Sequence, residues 1–179
     1  MNRTLQATSM NMQAFAEAGT PLNQTTPLHN LERLAKESSG PQPDSIVNWR
    51  ATAELRAGST ASSDIWLHLT GETSISLTCQ RCMNAVETSL QVNQWYRFVA
   101  TEALAMTEDD AAEEDLLVLT PQFDLTAVLE DELLMALPLV PMHDVCPVAP
   151  VFSAGTVDVP EGEAEKPNPF AALAQLKKK

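Results

Sequence analysis

Three stretches of the chain alternate between apolar and polar residues with a period of two. In the first, the apolar residues share one face and polar or charged residues occupy the other; the apolar set is Val47, Trp49, Ala51, Ala53 and Leu55. The pattern returns at about 64–79 and 85–99. Because successive side chains of a strand point to opposite faces, this alternation predicts three half-buried strands, at about 45–57, 64–79 and 85–99. Their short connections predict an antiparallel meander.

After Asp124 the apolar period changes to that of a helix. One face holds Leu125, Val128, Leu129, Glu132, Leu133 and Ala136, and the opposite face carries Glu130 and Asp131. Asp124 can cap the first turn, and Pro138 disfavours helical backbone at the residue before it. We therefore expect a helix at about 124–137 that packs on the sheet and closes the core.

The remaining segments complete an α+β prediction. We expect short helices at 14–18 and 28–38, a mobile acidic loop at 101–115, and one more strand at 116–120. Prolines are frequent from residue 147 onward, which favours an extended tail with a short terminal helix at 170–179. The predicted organisation is an N-terminal helical segment at 1–44, an α+β core at 45–146 and the tail at 147–179.

Charge is distributed unevenly along the chain, whose net charge is −13. Residues 98–165 contain sixteen Asp or Glu and no Lys or Arg, whereas residues 1–97 are close to neutral. So acidic a region repels a phosphate backbone and suits a basic protein partner. The alternative is that acidic surface only keeps the protein soluble.

The chain shows few signs of catalysis or of membrane attachment. No apolar run reaches the roughly 18 residues of a membrane span, and the N-terminus does not resemble a signal peptide, so we expect a cytoplasmic protein. The six glycines are scattered, and no phosphate-binding or nucleophile motif is present. We expect no enzymatic activity and no small-molecule substrate.

The three cysteines offer the most specific chemistry. Cys79 and Cys82 form a Cys-x-x-Cys, and His143 and Cys146 form a second pair with the same spacing. Two such pairs can supply the four ligands of a tetrahedral zinc site. The alternative is that the cysteines are small packed apolar residues. A thioredoxin-like redox pair is disfavoured, because strand-like sequence follows where that chemistry needs a helix.

A direct RNA-binding role is the second function to consider. Its cations would be Arg50, Arg56, Arg81, Arg97 and the lysine tail. Trp66 and Trp95 lie among polar neighbours, but few cations stand near them in sequence, which favours packing over base stacking.

Three motifs, in order, resemble the YceD family, which is named for large ribosomal RNA subunit accumulation. They are Thr78-Cys-Gln-Arg-Cys82, the segment 129–144 with its Leu-Pro-Leu-Val-Pro, and the segment 166–177. The resemblance covers roughly residues 28–179 and implies a bacterial or plastid factor in the synthesis, processing or stability of the large ribosomal RNA, with no established catalysis.

The resemblance implies roles for only a few individual residues. Cys79 and Cys82 match the family's cysteine pair, and His143 stands where a cysteine often stands, which implies a structural Cys₃His zinc site with Cys146. Together with the acidic charge of residues 98–165, the resemblance favours a non-enzymatic ribosome-biogenesis factor that contacts a basic assembly protein, and 23S rRNA only indirectly or weakly. The residues expected to bind that partner are Glu108, Asp109, Asp110, Glu113, Glu114, Asp115, Glu130 and Asp131. A metal-assisted nuclease using these carboxylates is the least favoured alternative.

Overall fold

The computed structural model describes residues 7–42, 44–58 and 63–149. Four helices and five strands occupy them in the order α1 (Met12–Ala18), β1 (Leu22–Pro27), α2 (Glu32–Glu37), β2 (Ile46–Ala57), β3 (Ser63–Thr78), β4 (Ala85–Val99), α3 (Glu102–Glu108), β5 (Asp115–Val118) and α4 (Leu125–Met135). Two short 3-10 turns, Leu28–Asn30 and Asp109–Ala111, precede α2 and follow α3. The predicted α+β class is confirmed.

The five strands form one sheet in chain order, β1-β2-β3-β4-β5. β1 to β4 are antiparallel, so the predicted meander is confirmed, and its three long strands are β2, β3 and β4. β5 runs parallel to β4 along residues 96–99, because the chain returns through α3 before it pairs. β1 was not expected from the sequence, because Leu22 is its only apolar residue apart from the proline.

The core lies between one face of the sheet and α1 and α4. Leu125, Leu129 and Leu133 of α4 are fully buried, which confirms the predicted covering helix. Its N-cap is Asp124, whose carboxylate accepts hydrogen bonds from the backbone N–H groups of Thr126 and Ala127. The helix ends at Met135, before Pro138.

Two expectations about local structure are wrong. The segment 101–115 is not a loop: Thr101 caps α3, and the chain then enters β5. Arg97 explains this order, because it binds Glu108 at the end of α3 and Glu114 just before β5. The expected helix at 28–38 is interrupted at Leu31, whose φ of −102° and ψ of 82° separate the 3-10 turn from α2.

The expected helix at 14–18 lies inside α1, and the expected strand at 116–120 overlaps β5. The predicted terminal helix and most of the predicted tail lie outside the described residues. Among the residues that are described, no helix has the length and apolar character needed to cross a membrane.

Candidate metal centre and acidic surface

Two chain segments far apart in sequence meet at one end of the sheet. The first is the turn between β3 and β4, which closes through hydrogen bonds from Cys79 N–H to Asn84 O (2.9 Å) and from Met83 N–H to Cys79 O (2.9 Å). Met83 has a φ of 60°, the left-handed conformation that this tight turn requires. The second segment follows α4, and Gln80 N–H donates to Pro141 O at 2.9 Å to join the two.

This arrangement brings Cys79, Cys82, His143 and Cys146 together. Their three sulfur atoms and one imidazole nitrogen all lie within 4.8 Å of one another. Cys79 Sγ is 4.0 Å from Cys146 Sγ, and Cys82 Sγ is 3.5 Å from His143 Nδ1. Bonds of about 2.3 Å to sulfur and 2.0 Å to nitrogen place the ligands of a tetrahedral zinc ion about 3.5–3.8 Å apart. The four residues therefore could hold a metal ion with little movement.

A hydrogen bond determines which nitrogen of His143 faces the cysteines. His143 Nε2 lies 2.9 Å from the carbonyl oxygen of Ala85. Because a carbonyl oxygen only accepts, Nε2 carries a proton, and in the neutral imidazole, the form that ligates a metal, Nδ1 has a free lone pair. A hydrogen bond from the distal nitrogen to a carboxylate, a backbone carbonyl or water commonly orients a metal-ligating histidine.

The surroundings of the thiols favour ionisation at two of them. Burial opposes ionisation of Cys79, but hydrogen bonds from the backbone N–H groups of His143, Cys82 and Arg81 outweigh it and lower its pKa to about 5. The pKa of Cys82 is also lowered, first by the backbone N–H of Asn84. Burial raises the pKa of Cys146. Thiolates are the form that binds metal, so two ligands are prepared for it.

Arg81, between the two cysteines of the turn, contacts the opposite segment. Its Nε lies 3.0 Å from Cys146 Sγ, and its terminal nitrogen donates to the carbonyl oxygens of His143 and Asp144. The sequence did not indicate this role; its only signal was the position of a cation inside the Cys-x-x-Cys. Arg81 is therefore engaged within the fold, and Arg97 is likewise bonded to two carboxylates.

The acidic residues expected to bind a partner occupy two different settings. Glu108 and Glu114 bind Arg97, and Asp115 accepts a hydrogen bond from Gln94, whereas Asp109, Asp110 and Glu113 are exposed.

On α4, Glu130 is 9% exposed and accepts hydrogen bonds from the backbone N–H groups of Arg33 and Leu34. Asp131 is exposed and pairs with Arg33. The acidic surface, as we use the term below, consists of Asp109, Asp110 and Glu113.

Comparison with known proteins agrees with the motif resemblance. The sequence profile of the YceD family, described as large ribosomal RNA subunit accumulation protein YceD, matches residues 67–177. The chain is 34% identical over 155 residues to the large ribosomal RNA subunit accumulation protein YceD of Haemophilus influenzae, and the match covers 84% of each chain. No solved structure matches the chain.

Proposed function

Because the chain belongs to the YceD family of large ribosomal RNA subunit accumulation proteins, we propose that it is a non-enzymatic ribosome-biogenesis factor. It promotes the synthesis, processing or stability of 23S rRNA, and it acts through contact with a basic assembly protein. The family is named for the accumulation of an RNA and not for a reaction, which is consistent with a factor that has no catalytic step.

The observation that carries this proposal is the acidic surface. Its carboxylates stand on and after the 3-10 turn that follows α3, and no Lys or Arg occurs from residue 98 to residue 149. The apolar side chain of Met106, 75% exposed, lies three residues before Asp109. Carboxylates close in sequence to an exposed apolar side chain suit a basic protein, since charge speeds the encounter and apolar contact slows dissociation.

We further propose that the Cys₃His cluster is a structural zinc site. Four protein ligands fill a tetrahedral shell, so no position is left for a reactive water. Three thiolates and one divalent cation leave a charge of −1, which the guanidinium of Arg81 beside Cys146 balances. Bound zinc would hold the segment that follows α4 against the turn between β3 and β4.

The test of the functional proposal uses the residues of the acidic surface that the fold does not need. Asp109→Asn, Asp110→Asn and Glu113→Gln are combined in one variant, leaving the partners of Arg97 intact. A matched control combines Glu17→Gln, Glu37→Gln and Asp44→Asn, three exposed carboxylates elsewhere on the surface. Both are introduced into a strain that lacks the gene, and the ratio of mature 23S to 16S rRNA is measured together with proteins captured after RNase treatment.

The deletion should lower the 23S to 16S ratio, and the control variant should restore it. The acidic-surface variant should restore the ratio poorly. It should also capture less of the basic partner protein, because three of the charges that attract that partner are gone. If instead it restores the ratio fully and captures the same proteins, the acidic surface serves only solubility and the proposal is wrong.

A further inference from the structure

The face of the sheet that points away from α1 and α4 is open to solvent across β1 to β4. Its side chains alternate with those of the core, and in cross-strand register they form rows such as Thr52, His68 and Trp95, or Asn48, Glu72 and Gln91. Most of these side chains are exposed or half-buried. We call this surface the outer face; nothing among the described residues packs over its centre.

An array of aromatic and cationic side chains occupies one part of the outer face. The rings of His68 and Trp95 stack with centroids 4.3 Å apart and planes 6° from parallel. The guanidinium carbon of Arg56 lies 4.2 Å from the Trp66 ring and 4.4 Å from the Trp95 ring. Trp95 is 36% exposed. These rings therefore pack on one another and on Arg56 at the surface, and they do not fill the core.

Beside the array, a groove of about 660 Å³ crosses four strands. Polar side chains that line it include Asn23, Asn48, Arg50, Thr70, Gln91 and Asn93. The array and the groove are directly connected, because His68 Nε2 lies 2.7 Å from Asn93 Oδ1. Carboxamides both donate and accept hydrogen bonds, which is the chemistry displayed on the edges of nucleic-acid bases.

We propose that the outer face binds single-stranded RNA through its bases. A base stacks on the indole of Trp66 or Trp95 in the place that Arg56 now occupies, and Arg56 turns to a phosphate. Neighbouring bases place their edges against the carboxamides of the groove. Aromatic stacking combined with hydrogen bonds to unpaired bases is the common mode by which proteins recognise single-stranded RNA.

The charges of the outer face favour unpaired bases over a duplex. Near the array and groove, Arg50 and Arg56 are offset by Glu54, Asp64 and Glu72, and Arg56 is paired with Glu54 at 2.6 Å. Arg97, opposite Trp66, is already bonded to Glu108 and Glu114. A duplex offers mainly phosphates, for which this face has few cations. An apolar protein surface is a poor match as well, because the groove is lined chiefly by amide and hydroxyl groups.

This inference goes beyond the contact proposed for the acidic surface. The two surfaces use different residues, so a variant in one leaves the other unchanged, and either proposal can fail alone. Direct binding of RNA by the outer face would place the protein on the ribosomal RNA, while the acidic surface recruits a protein.

The experiment measures fluorescence anisotropy of labelled 12-nucleotide single-stranded RNAs and of a matched RNA duplex with the purified full chain. The test variants are Trp95→Ala, Asn93→Ala and Arg50→Ala, of which the last two change exposed side chains with little risk to folding. The matched controls are Met106→Ala, an exposed apolar residue off the outer face, and Lys177, Lys178 and Lys179 changed together to Gln. Circular dichroism melting verifies that each variant is folded.

Single-stranded RNA should bind more tightly than the duplex. Trp95→Ala should weaken binding about tenfold or more, the scale of losing one stacked base, and both controls should leave it unchanged. The slope of log affinity against log salt should be shallow, about −0.7 to −1.4 for one or two phosphate contacts. The proposal is overturned if the chain does not bind single-stranded RNA or binds the duplex more tightly. It is also overturned if the outer-face variants bind RNA as tightly as the wild type, or if the lysine variant loses binding and they do not.

Discussion

Arg33 and Glu130, 97 positions apart, join α2 to α4 through two parallel hydrogen bonds. The backbone N–H of Arg33 donates to Glu130 Oε1 at 2.7 Å, and its side-chain Nε donates to Oε2 at 2.9 Å. The N–H of Leu34 also points to Oε1, at 3.2 Å. One carboxylate therefore satisfies two N–H groups at the start of a short helix, where the helix itself supplies no acceptors.

Glu130→Leu should destabilise the protein by about 1–3 kcal/mol, because it leaves the N–H groups of Arg33 and Leu34 without acceptors. The free energy of unfolding in urea measures this. Asp131→Leu is the matched control; its carboxylate also pairs with Arg33 but is 54% exposed, so its loss should cost less than about 1 kcal/mol. Equal costs for the two variants would contradict a structural role specific to Glu130.

Gly71→Ala should destabilise by about 1–3 kcal/mol through overpacking. A Cβ at Gly71 would stand 2.9 Å from Cδ1 of Leu129, the buried residue at the centre of α4. The absence of a side chain at this one position lets the helix approach the sheet closely. In a double-mutant cycle, Gly71→Ala with Leu129→Ala should cost less than the sum of the single changes, because the shorter side chain vacates the space that the new methyl needs. Additive costs would rule out this contact as the cause.

The Cys₃His cluster should bind one zinc ion per chain. Elemental analysis of protein purified without added metal measures the content, and the visible spectrum after cobalt substitution reports the tetrahedral sulfur and nitrogen ligands. Cys82→Ser or His143→Ala should lose the metal and lower the melting temperature, because ligand binding and folding are coupled. His29→Ala, an exposed histidine outside the cluster, is the control. A chain that folds equally well with and without zinc, or takes up none, would contradict the prediction.

Stability should fall on acidification in part through Glu114. Burial opposes ionisation of this carboxyl, but the hydrogen bond and the charge of Arg97, together with hydrogen bonds from backbone N–H groups, outweigh it and hold the pKa of Glu114 below its usual 4.5. A carboxyl with a lowered pKa in the folded state stabilises the fold above its unfolded pKa and loses that contribution as pH falls through the folded value.

Glu114→Gln should therefore cost about 1.5–3 kcal/mol at pH 7, the scale of a hydrogen bond to a charged group. The unfolding free energies of the variant and the wild type should converge as pH falls below about 4.5. Urea unfolding at a series of pH values measures this, with exposed Glu113→Gln as the control. A difference that is constant from pH 7 to pH 3 would contradict the assignment.

By itself, the sequence determined the three long strands, the covering helix and the identity of the four clustered residues. These features depend on signals that are local: a period of two or of 3.6 in apolar residues, an N-cap at Asp124, and ligand-type residues three positions apart. Trp49 in the core and Leu129 at the centre of the helix follow from the same periods, and both are buried as expected.

Other features were decided only by the tertiary structure, because they depend on residues that are distant in sequence. β1 has little apolar pattern and exists as a strand by pairing with β2. The acidic segment becomes α3 and β5 because Arg97 binds two of its carboxylates. Likewise, the tautomer of His143 is determined by a carbonyl 58 positions away, and the outer-face array exists because register places Trp95 beside His68. Such contacts form only after distant segments of the chain have come together, so they leave no periodic pattern in the sequence.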